Sequence, residues 1–187
     1  MRILDVATRL LASTGPEGVT VRRVAEGAGT TTRAIYSLFG DKRGLLQALH
    51  HEAAELMTST HLQVEAREDL IAEMVELGLA YRRAALANPH TFRLLMGDAP
   101  SFRPDPADVS LGRRAFGRVI ETMNRLEAAD RLGGREAERA GTQMWALVHG
   151  LVSLELLGLL EPQGDPETLW RETVEAMVRG LEQSRPG

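Results

Sequence analysis

The chain of 187 residues contains no cysteine, which excludes a disulfide framework, thiolate metal sites and a cysteine nucleophile, and fits a reducing compartment. Aromatic residues make up only 4%, too few for a base-stacking sheet or an oligosaccharide cleft. No run approaches the ~18 apolar residues that a membrane helix needs. Met1 leads directly into Arg2-Ile3-Leu4-Asp5, which has no signal-peptide character. Lysine is almost absent: Lys42 is the only one, so the basic side is arginine. No nucleophile elbow, phosphate-binding glycine loop or dinucleotide fingerprint occurs, so no enzyme and no cofactor is expected. His50, His51, Glu55 and His61 come nearest to a metal set. Only His51 and Glu55 share a helix face at i, i+4, so no metal is expected.

What is present is ordinary for a soluble globular chain: 43% hydrophobic and 26% charged residues. The net charge of −4 is unevenly spread. Residues 1–45 hold seven bases and four acids, whereas the rest holds 15 bases and 22 acids. A basic end on an acidic body suits a polyanion-binding head, although several bases on a short helix can equally be a solvated face.

Helical periodicity runs through the chain, with little period-two alternation. The expectation is an all-α fold of about nine helices. Ile3, Val6, Ala7, Leu10 and Leu11 stripe the first, which Gly15-Pro16-Glu17-Gly18 should stop. Thr20 is placed to cap a second helix with Val21, Val24 and Ala25 inside, ended by Gly29. Thr30 or Thr31 caps a third, through Ile35, Tyr36 and Phe39 to Gly40. Asp41 caps a fourth, with Leu45, Leu46, Leu49, Ala53 and Leu56 inside. Further helices are expected over about 70–87, 90–96, 107–129, 135–160 and from Pro166 onward, with a proline-rich loop over 97–106.

Two short helices joined by a glycine turn, apolar only on their inner faces, have the layout of a helix-turn-helix. The second is too short and polar to stand alone, and a protruding helix of this kind fits a major groove. From Ile3-Leu4-Asp5-Val6-Ala7, through Gly18 to Gly29 and Thr30 to Leu46, the sequence resembles the tetracycline-repressor (TetR) family of transcriptional regulators. Most specific are the Ala28-Gly29 turn, the Ile35-Tyr36-x-x-Phe39 helix and the Lys42-x-x-Leu45-Leu46 start.

The resemblance implies a DNA-binding head over residues 1–45 and a helical ligand-binding and dimerisation body over 46–187. It places Thr20, Thr31, Tyr36, Ser37 and Lys42 near phosphates, Arg22 against base or phosphate, and Thr32 and Arg33 against bases. Three departures stand out: Thr30 for valine, Arg33 for a small residue, and Leu38 for histidine or an aromatic residue. If Met1 is the start, the basic arm that precedes the first helix in many relatives is missing.

In the body, Met144-Trp145-Ala146-Leu147-Val148-His149-Gly150-Leu151 resembles the Trp-His-Gly type of C-terminal domain, as does the stretch from Tyr81 to Met96. Candidate ligand-binding residues are Met74, Tyr81, Phe92, Leu95, Met96, Phe116, Met123, Trp145 and His149; core packing is the competing role for each. Ala146, Gly150 and Ser153, with Trp170, Val174 and Met177, are candidates for a dimer interface shaped as a four-helix bundle. The implied protein is a cytoplasmic homodimeric repressor, off the membrane, released from an operator by a small-molecule effector. The alternatives are an activator or constitutive regulator without a ligand switch, or a helical ligand-binding protein without DNA binding.

Overall fold

A computed structural model describes residues 2–96, 116–160 and 164–183. Among these residues the fold is all α: α1 (Arg2–Gly18), α2 (Val21–Ala28), α3 (Thr32–Phe39), α4 (Lys42–Leu62), α5 (Leu70–Ala87), α6 (Pro89–Leu95), α7 (Gly117–Ala128), α8 (Ala137–Leu156) and α9 (Pro166–Gln183). The expected loop over 97–106 and the expected helix start at 107 lie outside the described residues.

Local chemistry explains most helix starts. The Thr20 hydroxyl accepts from the Arg23 amide at 3.3 Å, and the Thr31 hydroxyl accepts from the Ala34 amide at 3.2 Å. Thr31 is therefore the cap of α3, and Thr30 belongs to the turn. Asp41 accepts from the Gly44 amide at 2.8 Å, and Asp165 from the Thr168 amide at 3.1 Å. Each satisfies an amide that the first helical turn leaves without a backbone partner.

Gly15 breaks α1 as the sequence leads one to expect: at φ 70°, ψ −179° its backbone is not helical, and only a kinked turn to Gly18 follows. Pro16 has no amide to donate and fits the first turn after that kink. Leu56 is not inside but 41% exposed. The buried stripe of α4 passes through Ala53, Ala54, Met57 and His61, because the 3.6-residue period carries it past Leu56. In addition, α8 ends at Leu156 rather than 160, with Gly158 at φ 68° just beyond.

The described residues form two compact units, one from Met1–Leu56 with Ala87–Arg114, the other from Met57–Leu86 with Ala115–Gly187. In the first, Ala7 and Leu11 of α1, Val24 and Ala25 of α2, Ile35 of α3, Leu45, Leu46 and Leu49 of α4, and Leu94 of α6 share one core. Both short helices are thus held by a scaffold larger than themselves. In the second, Met74, Leu77, Met123, Leu126, Met144, Val148, Trp170 and Val178 of α5, α7, α8 and α9 are almost fully buried.

Candidate nucleic-acid interface

The turn between α2 and α3 depends on Gly29. It sits at φ 63°, ψ 39°, where a side chain costs roughly 1–2 kcal/mol, and its amide and that of Thr30 turn back to Glu26 and Ala25. The reversal delivers α3 with Ile35 fully buried and Thr32, Arg33, Tyr36, Ser37 and Leu38 exposed. Gly44 fixes the next element: a Cβ there would lie 1.9 Å from the Phe39 carbonyl oxygen, so only glycine lets α4 start so close behind α3.

Thr31, Thr32, Arg33, Tyr36 and Ser37 lie on one short helix and its cap, all facing outward. Thr20 is half-buried at the start of α2. The exposed Arg22 is engaged by Glu26 at 2.9 Å, one turn along the same helix. Lys42 meets Glu17 at 3.4 Å. Arg23 is committed to the scaffold, since it donates to the Gly18 carbonyl at 2.8 Å and so ties α2 to the end of α1. The first unit therefore presents hydroxyls, an arginine and a tyrosine on a firmly seated helix. This set can donate to phosphate oxygens and to base edges.

The ligand-binding candidates divide between the units. Phe92, Leu95 and Met96 belong to the first, with Phe92 and Leu95 buried. Met74, Tyr81, Phe116, Met123, Trp145 and His149 belong to the second. There, a chain of rings links four of them through His61: Trp145 stacks on His149 at 5.4 Å, the Tyr81 hydroxyl lies 3.5 Å from Nδ1 of His149, and His61 stacks on Tyr81 at 6.2 Å and meets Phe116 at 6.5 Å. Burial pushes the Tyr81 hydroxyl up and the His149 imidazole down in pKa, so both are held neutral near pH 7. His61, set aside as a weak metal ligand, joins this cluster because the α4 stripe turns it inward. Among the described residues, no group of three or more acidic or histidine side chains could hold a metal ion.

Of the interface candidates, Ala146 is exposed and Gly150, Ser153 and Met177 are half-buried. Trp170 and Val174 are buried inside their own chain, at 0% and 1% exposure. The Trp170 indole donates to Glu155 at 3.0 Å, and Arg82 grips the same carboxylate through two nitrogens, at 2.6 Å from Nη2. Val174 packs close to Gly78.

A second buried charge escaped sequence reasoning altogether. The Glu73 carboxylate has no exposure, and it accepts from the Arg67 amide, Thr122, Arg118 and Arg125 at 2.6 to 3.2 Å. Arg118 and Arg125 also donate to the carbonyls of Val64 and Arg67, so α7 clasps the link between α4 and α5. Arg118, Thr122 and Arg125 do carry i, i+4 and i, i+3 spacing on α7, but a lone glutamate on α5 gave no reason to pair them.

Residues 3–49 match the family described as bacterial regulatory proteins of the tetR family, and residues 74–177 match a tetracyclin repressor-like C-terminal domain. An HTH-type transcriptional repressor of Mycobacterium tuberculosis is 32% identical over 173 residues, covering 90% of this chain and 85% of that protein. The class C tetracycline repressor protein of Escherichia coli is 34% identical over 99 residues, 53% of this chain and 45% of the repressor. The chain spans less than half the length of several curated relatives, this one among them. A solved protein of unknown function from Rhodococcus sp. RHA1 superposes with a TM-score of 0.84 at 25% identity, over 97% of this chain and 94% of its own. The chain belongs to the tetR family of bacterial regulatory proteins.

Proposed function

We propose that this protein is a dimeric transcriptional repressor in the cytoplasm that leaves a pseudo-palindromic operator when a small molecule binds its helical body. The division is a DNA-binding head over residues 1–45 and a ligand-binding and dimerisation body over 46–187. The observation that carries the reading is α3: capped by Thr31, anchored by the buried Ile35, and turning Thr32, Arg33, Tyr36 and Ser37 outward from a basic segment. Repressors among the relatives support the sign of regulation. Thr20, Thr31, Tyr36, Ser37 and Lys42 would meet phosphates; Thr32 and Arg33 would meet base edges, with guanine the natural partner of an arginine. Arg22 would exchange Glu26 for a phosphate or a base.

Pairing would use the outward faces of α8 and α9, with Ala146, Gly150, Ser153 and Met177 at the contact. Trp170 and Val174 would support it from within rather than touch the partner. The effector would lie among Met74, Tyr81, Phe116, Met123, Trp145 and His149, in a body of the Trp-His-Gly type. It acts only through different affinities for the DNA-bound and released states.

Selection of bound duplexes from a random pool tests the reading. A two-fold symmetric motif is expected, with log K falling by ~0.9 per phosphate neutralised as log salt rises. No preferred duplex and a flat salt response would overturn it. A preferred motif whose affinity no candidate effector changes would favour regulation without a ligand switch.

A further inference from the structure

Leu38 is one of the residues at which the chain departs from the family's pattern. Its side chain is 66% exposed. Among the described residues of the first unit, the large apolar side chains left exposed are Tyr36, Leu38 and Leu56, so two of the three stand on one eight-residue helix. Tyr36 has a hydroxyl to offer a phosphate, whereas Leu38 has no polar atom. Steps of ~100° per residue place Tyr36 and Leu38 on opposite flanks of the outward arc of α3, with Arg33 and Ser37 between them. Ala34, one turn before Leu38 and half-buried, lengthens the apolar flank. Just past the helix, a Cβ on Gly40 would meet no atom of the described residues within 4 Å.

In the function proposed above, on which the role of Leu38 rests, α3 lies in a major groove. A helix in that position brings one flank to each wall. An alkyl side chain against a phosphate removes water from a charge and returns no hydrogen bond. The groove offers one apolar group, the 5-methyl of thymine. That methyl sits on the side of the pyrimidine next to its own strand's backbone, at the foot of the wall, where a flank residue reaches. We propose that Leu38, backed by Ala34, is a specificity-determining residue that reads a thymine 5-methyl, one per half-site, opposite the flank on which Tyr36 holds a phosphate.

The full chain is bound to its selected duplex, and each thymine is then replaced singly by deoxyuridine, which removes the methyl and keeps every hydrogen-bonding group. One thymine per half-site is expected to lose about fourfold in affinity, the worth of burying one methyl. In Leu38→Ala that position should bind thymine and deoxyuridine equally, and Leu38→Met should restore the discrimination. Leu38 is exposed, so helicity and unfolding temperature should stay unchanged in both variants. A duplex indifferent to deoxyuridine everywhere, or a loss that persists undiminished in Leu38→Ala, overturns the inference while leaving DNA binding intact. Failure to select any duplex overturns it together with the reading beneath it.

Discussion

Two exposed arginines eleven residues apart have different tasks when one of them already has a partner. Arg22 faces Glu26 on its own helix, whereas Arg33 stands on the outward arc of α3. Tyr36 and Lys42 are suited to phosphates, which are the same at every base pair. Tyr36→Phe and Lys42→Ala should therefore weaken binding to all duplexes about equally. Arg33→Ala should cost ~1–3 kcal/mol at one base pair and relax preference there alone. The Lys42–Glu17 contact at 3.4 Å lies near the surface, where such pairs contribute ~0–1 kcal/mol, so Lys42→Ala should leave the unfolding temperature nearly unchanged. It should also lower the salt slope by ~0.9. Affinities for a panel of single-base variants at several salt concentrations check all three substitutions. A uniform loss for Arg33→Ala would move that residue from the base edges to the backbone.

Helix ends are where sequence and structure agree most closely, because a cap is a contact between neighbours in the chain. Thr20, Thr31, Asp41 and Asp165 are legible from residue type and spacing, and so is Gly29. Thr31→Ala should cost about 1 kcal/mol and Thr31→Gly only a few tenths. Gly29→Ala should cost roughly 1–2 kcal/mol by forcing a side chain into left-handed backbone. Thermal unfolding measures each, and Thr31→Ala as harmless as an exposed mid-helix substitution would show that the cap does not hold α3. Packing between distant segments is legible only in part. The apolar stripes show which faces turn inward, but not which helix they meet. Trp170 and Val174 read as an interface because a stripe carries no label for its partner; in the structure α9 packs them within its own unit. Leu56 fails for a related reason, since the stripe drifts along a helix of 21 residues. The Glu73 clasp was invisible because its arginines lie more than forty residues away.

At the scale of the whole chain, acid stability and pairing are the two collective properties that the structure addresses. Burial alone would raise the Glu73 carboxyl. The Arg67 amide, the Thr122 hydroxyl and Arg125 outweigh it and hold the group below the ordinary 4.5. Above 4.5 the carboxylate is ionised whether the chain is folded or not, and its contribution is fully present. As pH falls below that value the unfolded chain takes up the proton first, and the contribution is lost through the lower folded-state value. Glu73→Gln should cost on the order of 3 kcal/mol at pH 7, by removing the buried carboxylate that Arg118 and Arg125 share, and the gap to the parent should narrow in acid. Unfolding midpoints between about pH 3 and pH 7 measure it; a gap that stays constant would mean that the charge itself contributes nothing. The proposed pairing would turn on α8, which has two unlike faces. Ala137, Ala140, Gly141, Met144, Val148 and Val152 are buried, while Ala146, Gly150, Ser153, Leu154 and Leu157 point the opposite way. A Cβ on Gly150 would meet nothing within 4 Å, and the same holds for Gly180 on α9. Small residues are not needed there by the chain's own packing, yet they let another backbone approach closely. Gly150→Arg should therefore fold with unchanged helicity, since the single chain has room for it. It should sediment as one subunit and lose the affinity gained by holding two half-sites at once. A variant that still sediments as a pair would place the contact between copies on some other face.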